Sequence, residues 1–79
     1  MSRDEAFKMI QDSLDVVKPG TGSKLTLESH LVDDGFVDSL DSMNFLFELE
    51  NKHGSRLEQI DDTFNDFRVT RLVDILVSA

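Results

Sequence analysis

The serine at position 39 stands where a hydroxyl group is suited to carry or to meet a phosphate. Asp38, the residue before it, is a good helix N-cap, because its carboxylate can accept hydrogen bonds from the unpaired N–H groups of a first turn. Asp41 stands where a capping-box acid reaches back. Ser39 is therefore predicted at the first helical position, where the positive end of the helix dipole favours a phosphate. A plain, well-capped helix start is the other interpretation, since short capping motifs recur widely.

The helix that begins at Ser39 carries apolar residues on two stripes rather than one. A rotation of about 100° per residue places Phe45, Leu46, Leu49 and His53 on one face, with Ser42 at its N-terminal end. A second stripe, offset by about a third of a turn, consists of Leu40, Met43 and Phe47. A surface helix in a small domain normally needs one apolar face. We therefore predict that Phe45, Leu46 and Leu49 form a core stripe, and that Leu40, Met43 and Phe47 form a partly exposed contact stripe beside Ser39.

Three further helical segments are predicted around this helix. A capping box of Ser2 and Glu5 opens the first, and Pro19-Gly20 ends it. Its buried face is predicted to be Phe7, Ile10, Leu14 and Val17. A short helix is predicted over 61–67, and a last one over 69–78 that buries Val69, Leu72, Val73 and Leu76. The helix of Ser39 should end near His53-Gly54, because glycine commonly follows a helix.

The connection from Lys18 to Val37 is long, and its apolar residues are too regular for a flexible linker. They are Leu25, Leu27, Leu31, Val32 and Phe36. Long loops in small domains are usually packed by their own side chains or functional. We predict a structured loop, with room for one helical turn, that lays leucines on the core and delivers Gly35 to the turn before Ser39. His30 lies alone in this loop and is predicted to be solvated, without a role.

These elements predict one small all-α domain over residues 1–79. The expected architecture is a four-helix bundle, with three main helices and one short helix, and a long structured loop between helices 1 and 2. An apolar content of 39% is enough for a compact core at this length.

Composition narrows the classes of function. Sixteen acidic against eight basic residues give a formal charge of −8, which argues against nucleic-acid binding and against a polybasic membrane contact. The acidity instead suggests partners with basic patches, although it also serves solubility. Cysteine is absent, which excludes disulfides and thiolate metal sites. No long apolar run and no signal-peptide character are present, so we expect no membrane insertion and a cytoplasmic location.

Catalysis by this domain alone is not expected. A Ser–His–Asp arrangement would need a histidine beside Ser39, and His53 lies about 21 Å along the same helix by rise per residue. His30 is not excluded by the sequence, but nothing around it indicates a catalytic site. Asp61, Asp62 and Asp66 lack the spacing of a calcium loop, so a solvated acidic segment is expected and no metal site.

The run Asp38-Ser39-Leu40, at the start of an apolar and acidic helix, resembles the D-S-L motif of the acyl carrier proteins. The resemblance covers nearly the whole chain in length, acidity, element order and motif position. It implies that Ser39 carries 4′-phosphopantetheine, whose thiol holds an acyl or aminoacyl group as a thioester between partner enzymes. It also implies that the second helix is the main docking element. The implied partner-binding residues are Asp38, Leu40, Asp41, Met43, Phe47, Glu48 and Glu50.

The partners implied by the resemblance are a phosphopantetheinyl transferase, a loading ligase and downstream acyl-transfer enzymes, with the carrier itself a monomer. The chain departs from carriers of primary fatty-acid synthesis, because Phe36-Val37 separates Gly35 from Asp38 and the second helix is less acidic. This spacing is more similar to stand-alone carriers that serve adenylating ligases, including D-alanyl carrier proteins. The cargo, the loading enzyme and the pathway, whether fatty acid or secondary metabolite biosynthesis, stay open. The alternative function is an acidic helical adaptor that binds a partner through the contact stripe and is never modified.

Overall fold

The structure is a computed structural model that describes residues 1–60 and 64–79. It contains helix α1 (Arg3–Val17), a 3₁₀ turn (Gly22–Lys24), helix α2 (Ser39–His53) and helix α3 (Val69–Ser78). The all-helical class is confirmed, since the described ranges contain no named strand. Within the described residues there are three helices and one 3₁₀ turn rather than the four helices predicted. Of the short helix predicted over 61–67, the first three residues lie outside the described ones, and 64–67 are not helical.

Local capping chemistry sets where α1 and α2 begin and end. The hydroxyl of Ser2 accepts a hydrogen bond from the Glu5 N–H at 3.1 Å, and the Glu5 carboxylate accepts one from the Ser2 N–H at 3.0 Å. The predicted capping box is therefore confirmed, and its hydrogen bonds from Ser2 lower the pKa of Glu5. Gly54 closes α2 with a φ of +88°, a left-handed conformation that glycine adopts without strain.

The core lies where α1 contacts both α2 and α3. Its fully buried large side chains include Ile10 and Leu14 from α1, Phe45 and Leu49 from α2, and Val69, Leu72, Val73, Ile75 and Leu76 from α3. On α1 the buried face is rotated slightly from the predicted one. Ala6 and Ser13 are buried, whereas Phe7 and Val17 are only partly buried.

The long loop between α1 and α2 is structured, as predicted. Leu25 and Leu31 are buried in the core, whereas Leu27 and Val32 are exposed. The Leu31 N–H donates to the carbonyl of Phe67 at 3.0 Å, and the Val69 N–H donates to the carbonyl of Ser29 at 3.0 Å. These two bonds join the middle of the loop to the start of α3.

Each end of the loop has its own anchor. At its start, Gly22 packs so closely on α1 that an added Cβ would lie 2.5 Å from the Gln11 carbonyl oxygen. The Asp15 carboxylate also accepts a hydrogen bond from the Gly22 N–H at 2.7 Å. At its end, Gly35 has a φ of +82° in the turn that leads to Ser39, where the sequence predicted a turn. The part of the chain described here has no helix that is both long and apolar enough to cross a membrane.

Candidate functional site

Ser39 is the first residue of α2, and it is exposed. Asp38 is the N-cap, and its Oδ1 accepts a hydrogen bond from the Asp41 N–H at 2.8 Å. The first backbone bond of the helix runs from the Ser42 N–H to the Asp38 carbonyl at 2.9 Å. Both sequence predictions, the cap and the position of Ser39, are confirmed. The N–H groups of Ser39 and Leu40 have no acceptor within 1–60 and 64–79, so two donors remain at the positive end of the helix.

Asp41 does not complete a capping box. Its carboxylate turns away from Asp38 and lies 2.9 Å from the ammonium group of Lys18, which follows α1 directly. The hydrogen bond from Lys18 to Asp41 raises the pKa of Lys18. This ion pair joins the start of α2 to the end of α1 and balances one of the acids that were predicted to face partners. No local pattern predicted this pair, because the two residues lie on either side of the long loop.

The buried serine at position 42 supports the first turn of α2 from inside. Its hydroxyl donates to the carbonyl of Ser39 at 2.7 Å. Ser42 is thus satisfied within the fold, whereas the hydroxyl of Ser39 has no hydrogen-bond partner among the described residues.

The contact stripe is exposed along its whole length. Leu40, Met43 and Phe47 are 69%, 70% and 65% exposed. In the core stripe, Phe45 and Leu49 are fully buried, and Leu46 packs against the core while partly buried. The predicted division of the helix into two faces is confirmed, and the contact stripe is more open than predicted. The helix that begins at Ser39 therefore carries three large apolar side chains that are mostly open to solvent.

The predicted docking acids differ in their surroundings. The Glu50 carboxylate accepts a hydrogen bond from the Leu57 N–H at 2.8 Å, so it fixes the chain that leaves α2. Asp38 holds the helix cap and Asp41 pairs with Lys18. Glu48 is half-buried and makes no ion pair within the described ranges. Three of the four predicted docking acids, Asp38, Asp41 and Glu50, thus also make contacts within the fold.

A groove opens beside Ser39 and has a volume of about 880 Å³. One wall is α2, through Ser39, Ser42, Met43, Leu46 and Phe47, and the opposite wall includes Ile60, Phe64 and Phe67. His30 and Asp33 from the long loop also line it. The sequence did not predict this groove, because it forms only where the loop and the segment before α3 come back to α2. An apolar groove that begins at an exposed serine can accept a flexible group attached to that serine.

His30 is not the solvated side chain that was predicted. Its Nδ1 accepts hydrogen bonds from the N–H groups of Val32 at 3.2 Å and Asp33 at 3.0 Å. The His30 backbone N–H donates to the Asp34 carboxylate at 2.8 Å. With its side chain 22% exposed, His30 holds the turn that precedes Gly35. His53 lies at the far end of α2, where its Nδ1 is 3.1 Å from the Ser55 hydroxyl.

No family model, no curated protein and no solved structure matches this chain.

Proposed function

We propose that this protein is a carrier whose Ser39 receives 4′-phosphopantetheine. The observation that supports the proposal most directly is the combination at the start of α2. An exposed hydroxyl, two N–H groups without an acceptor among the described residues, and the first residue of an exposed apolar stripe lie next to one another there. This setting fits a phosphodiester, because helix N-termini favour anions. Such a carrier is not itself an enzyme.

Attachment of the prosthetic group requires only an accessible serine hydroxyl from the carrier, because the transferase supplies the base. The Ser39 Oγ would form a bond to a phosphorus of coenzyme A, the bond to the 3′,5′-ADP portion would break, and the hydroxyl proton would pass to a base of the transferase. When bound, the prosthetic group supplies a thiol that holds cargo as a thioester. The residues of this chain hold Ser39 in place through the Asp38 cap and the Ser42 hydroxyl. The groove beside Ser39 offers space for the arm or for the first part of the cargo.

In this proposal the contact stripe provides affinity for partner enzymes, and the acids attract the basic surfaces of those enzymes. Leu40, Met43 and Phe47 present exposed apolar surface, while Asp38, Asp41, Glu48 and Glu50 add negative charge to the same helix. Small and transient interfaces would let a transferase, a loading ligase and downstream enzymes share this surface in turn. Tethering on a short arm gives each docked enzyme a high effective concentration of cargo.

The resemblance to stand-alone carriers suggests an acyl or aminoacyl cargo loaded by an adenylating ligase, with D-alanine among the candidates. A cytoplasmic location, a monomeric state and a fourth, short helix belong to the same proposal. The short helix was predicted over 61–67, of which 64–67 are not helical and 61–63 lie outside the described residues, so backbone chemical shifts over 61–67 would test it.

An unmodified adaptor is the second candidate, and the exposure of the contact stripe supports it equally well. The two functions differ at Ser39. An adaptor keeps its partner when Ser39 is replaced by alanine, whereas a carrier loses all activity.

The deciding experiment is intact mass after incubation with coenzyme A, magnesium and a broad-specificity phosphopantetheinyl transferase. We expect one phosphopantetheine addition on the wild-type protein and none on Ser39→Ala. Ser23→Ala is the matched control, because Ser23 is also exposed and lies in the 3₁₀ turn, away from α2. It should be modified like the wild type. A folded protein that gains no mass with several active transferases would favour the adaptor.

A further inference from the structure

His30 caps a turn in the long loop through one of its ring nitrogens. Nδ1 accepts hydrogen bonds from the backbone N–H groups of Val32 at 3.2 Å and of Asp33 at 3.0 Å. An imidazole nitrogen accepts a hydrogen bond only when it carries no proton, so this cap requires the neutral ring with its proton on Nε2. In the protonated ring both nitrogens are donors, and Nδ1 would then face two N–H groups with an N–H of its own. Protonation of His30 is therefore incompatible with the cap.

The turn that His30 caps has few other restraints. The Asp34 N–H donates to the His30 carbonyl at 2.9 Å, and the Gly35 N–H donates to the Val32 carbonyl at 3.0 Å. The Asp34 carboxylate also accepts from the His30 N–H at 2.8 Å. All four residues of 32–35 are exposed, so burial contributes little to holding them in place. The two hydrogen bonds to Nδ1 are therefore a large part of what keeps this turn closed.

The residues on either side of the turn are held independently of the ring. Leu31 is fully buried, and its N–H donates to the carbonyl of Phe67 at 3.0 Å. Its own carbonyl accepts from the N–H of Val37, a buried residue, at 3.0 Å. Loss of the cap should therefore release 32–35 between two fixed points and leave the rest of the domain folded.

The charged groups around His30 come from its own turn, from the segment before α3 and from the lining of the groove. They are Asp33, Asp34, Asp66, Arg68, Glu50 and Arg56. Asp66 and Arg68 form an ion pair with each other, so they add little net charge. The Asp33 Oδ2 lies 3.6 Å from Nε2 of His30 and attracts a protonated ring. This carboxylate offers the imidazolium a partner once the ring has released the two N–H groups.

The geometry points to a pH-sensitive turn over residues 32–35, closed when His30 is neutral and open when it is protonated. Between about pH 8 and pH 5, histidine is the side chain that ordinarily changes charge. The two hydrogen bonds to Nδ1 are present at the upper end of this range and are lost toward its lower end. His30, Val32 and Asp33 line the groove beside Ser39, so opening of the turn changes one wall of that groove. The inference does not depend on whether Ser39 is modified.

Backbone and imidazole ¹H–¹⁵N NMR of the unmodified protein at about pH 8 and about pH 5 tests the inference. At the higher pH we expect Nδ1 of His30 to carry no proton and the backbone order parameters of 32–35 to be about 0.85, the value of a rigid backbone. At the lower pH these order parameters should fall below about 0.6. Those of Leu31 and Val37 should stay unchanged.

The variant His30→Asn keeps the cap and removes the response to pH. The asparagine carbonyl oxygen takes the place of Nδ1, accepts from the same N–H groups and does not titrate. The order parameters of 32–35 in this variant should be the same at both pH values. His53→Asn is the matched control, because it removes the histidine at the far end of α2 and should keep the wild-type response.

Three results would overturn the inference. They are a proton on Nδ1 of His30 at the higher pH, an equally rigid 32–35 at both pH values in the wild type, and a full response to pH in His30→Asn. The first two are measured on the wild-type protein, so the test does not depend on the folding of a variant.

Discussion

The two apolar stripes of α2 contain the same kinds of side chain in opposite surroundings. Phe45 is fully buried, whereas Phe47, two residues later, is 65% exposed. Both are phenylalanines on one helix, and they differ because α1 packs against only one side of it. In a small domain the limit is the amount of chain available for covering a helix. The uncovered face of α2 is therefore the one that is available for contacts with a molecule outside the domain.

The largest expected difference between the stripes is in folding stability. Phe45→Ala should lower the free energy of unfolding by about 3–5 kcal/mol, because it leaves a cavity in the core. Phe47→Ala should change it by no more than about 0.5 kcal/mol, since its ring already faces water. Urea unfolding followed by circular dichroism measures both. Equal losses in the two variants would mean that the contact stripe is packed after all.

For docking we expect the opposite order, in which a substitution on the contact stripe has the larger effect. Phe47→Ser should lower kcat/KM of the transferase about tenfold, which corresponds to roughly 1.4 kcal/mol of lost apolar contact. Asn44→Ser is the matched control on an exposed position of the same helix and should stay near the wild-type rate. A wild-type rate for Phe47→Ser, with normal folding, would remove the contact stripe from the docking surface.

Loss of the Asp38 cap should have a moderate effect on both the folding stability and the rate of modification by the transferase. Asp38→Ala removes the hydrogen bond to the Asp41 N–H and should cost about 1 kcal/mol of stability. Asp38→Asn keeps a capping oxygen and loses only the charge. If the transferase reads the negative charge of Asp38, modification should slow in both variants, whereas thermal unfolding should change mainly in Asp38→Ala.

The Lys18–Asp41 ion pair should have a small effect that depends on salt. Lys18→Gln leaves Asp41 unbalanced beside Ser39, so a basic partner should associate faster at low ionic strength and at the wild-type rate at high salt. Stability should change little, because both groups contact solvent. The rate of modification at two salt concentrations measures this. A slower rate at low salt would mean that the partner's surface is not basic.

The smallest expected effect concerns stability at low pH and the ion pair of Asp66 and Arg68 before α3. The Arg68 guanidinium hydrogen-bonds the Asp66 carboxylate and lowers the pKa of Asp66 to about 2. Because this pKa lies below that of the unfolded chain, the pair stabilises the fold above the ordinary aspartate range, and the contribution is lost as the pH falls toward 2. Arg68→Gln should raise the pKa of Asp66, which carboxyl NMR measures. Arg68 is exposed and Asp66 is partly exposed, so solvent screens the pair and the accompanying shift in acid unfolding should be slight.

Local signals in the sequence were sufficient to locate α1, α2 and α3, but they also predicted a short helix over 61–67, of which 64–67 are not helical. Ser2, Glu5 and Asp38 cap through neighbours within three residues, and Gly54 ends α2 through its own backbone freedom. The two stripes followed from helical period alone. What the sequence did not reveal are contacts between residues that only the folded chain brings together. These are the pairing of Lys18 with Asp41, the bond from Leu57 to Glu50 and the groove itself.

His30 shows a different limit of sequence reasoning. Its partners are only two and three residues away, so distance along the chain does not explain the error. The turn is held in place by Leu31, whose N–H bonds to Phe67. A histidine in a loop belongs to no periodic pattern that would identify it as a cap. Its role could be recognised only from the path of the backbone around it.

The two backbone bonds that join the loop to the start of α3 also order events during synthesis. Leu31 has no acceptor for its N–H until Phe67 has been made, and Ser29 waits for Val69. A ribosome-bound chain that ends before α3 would expose Ser39 on a helix whose supporting loop is still loose. If Ser39 is modified as proposed, such a chain should be a poor transferase substrate, so that modification would follow the emergence of α3.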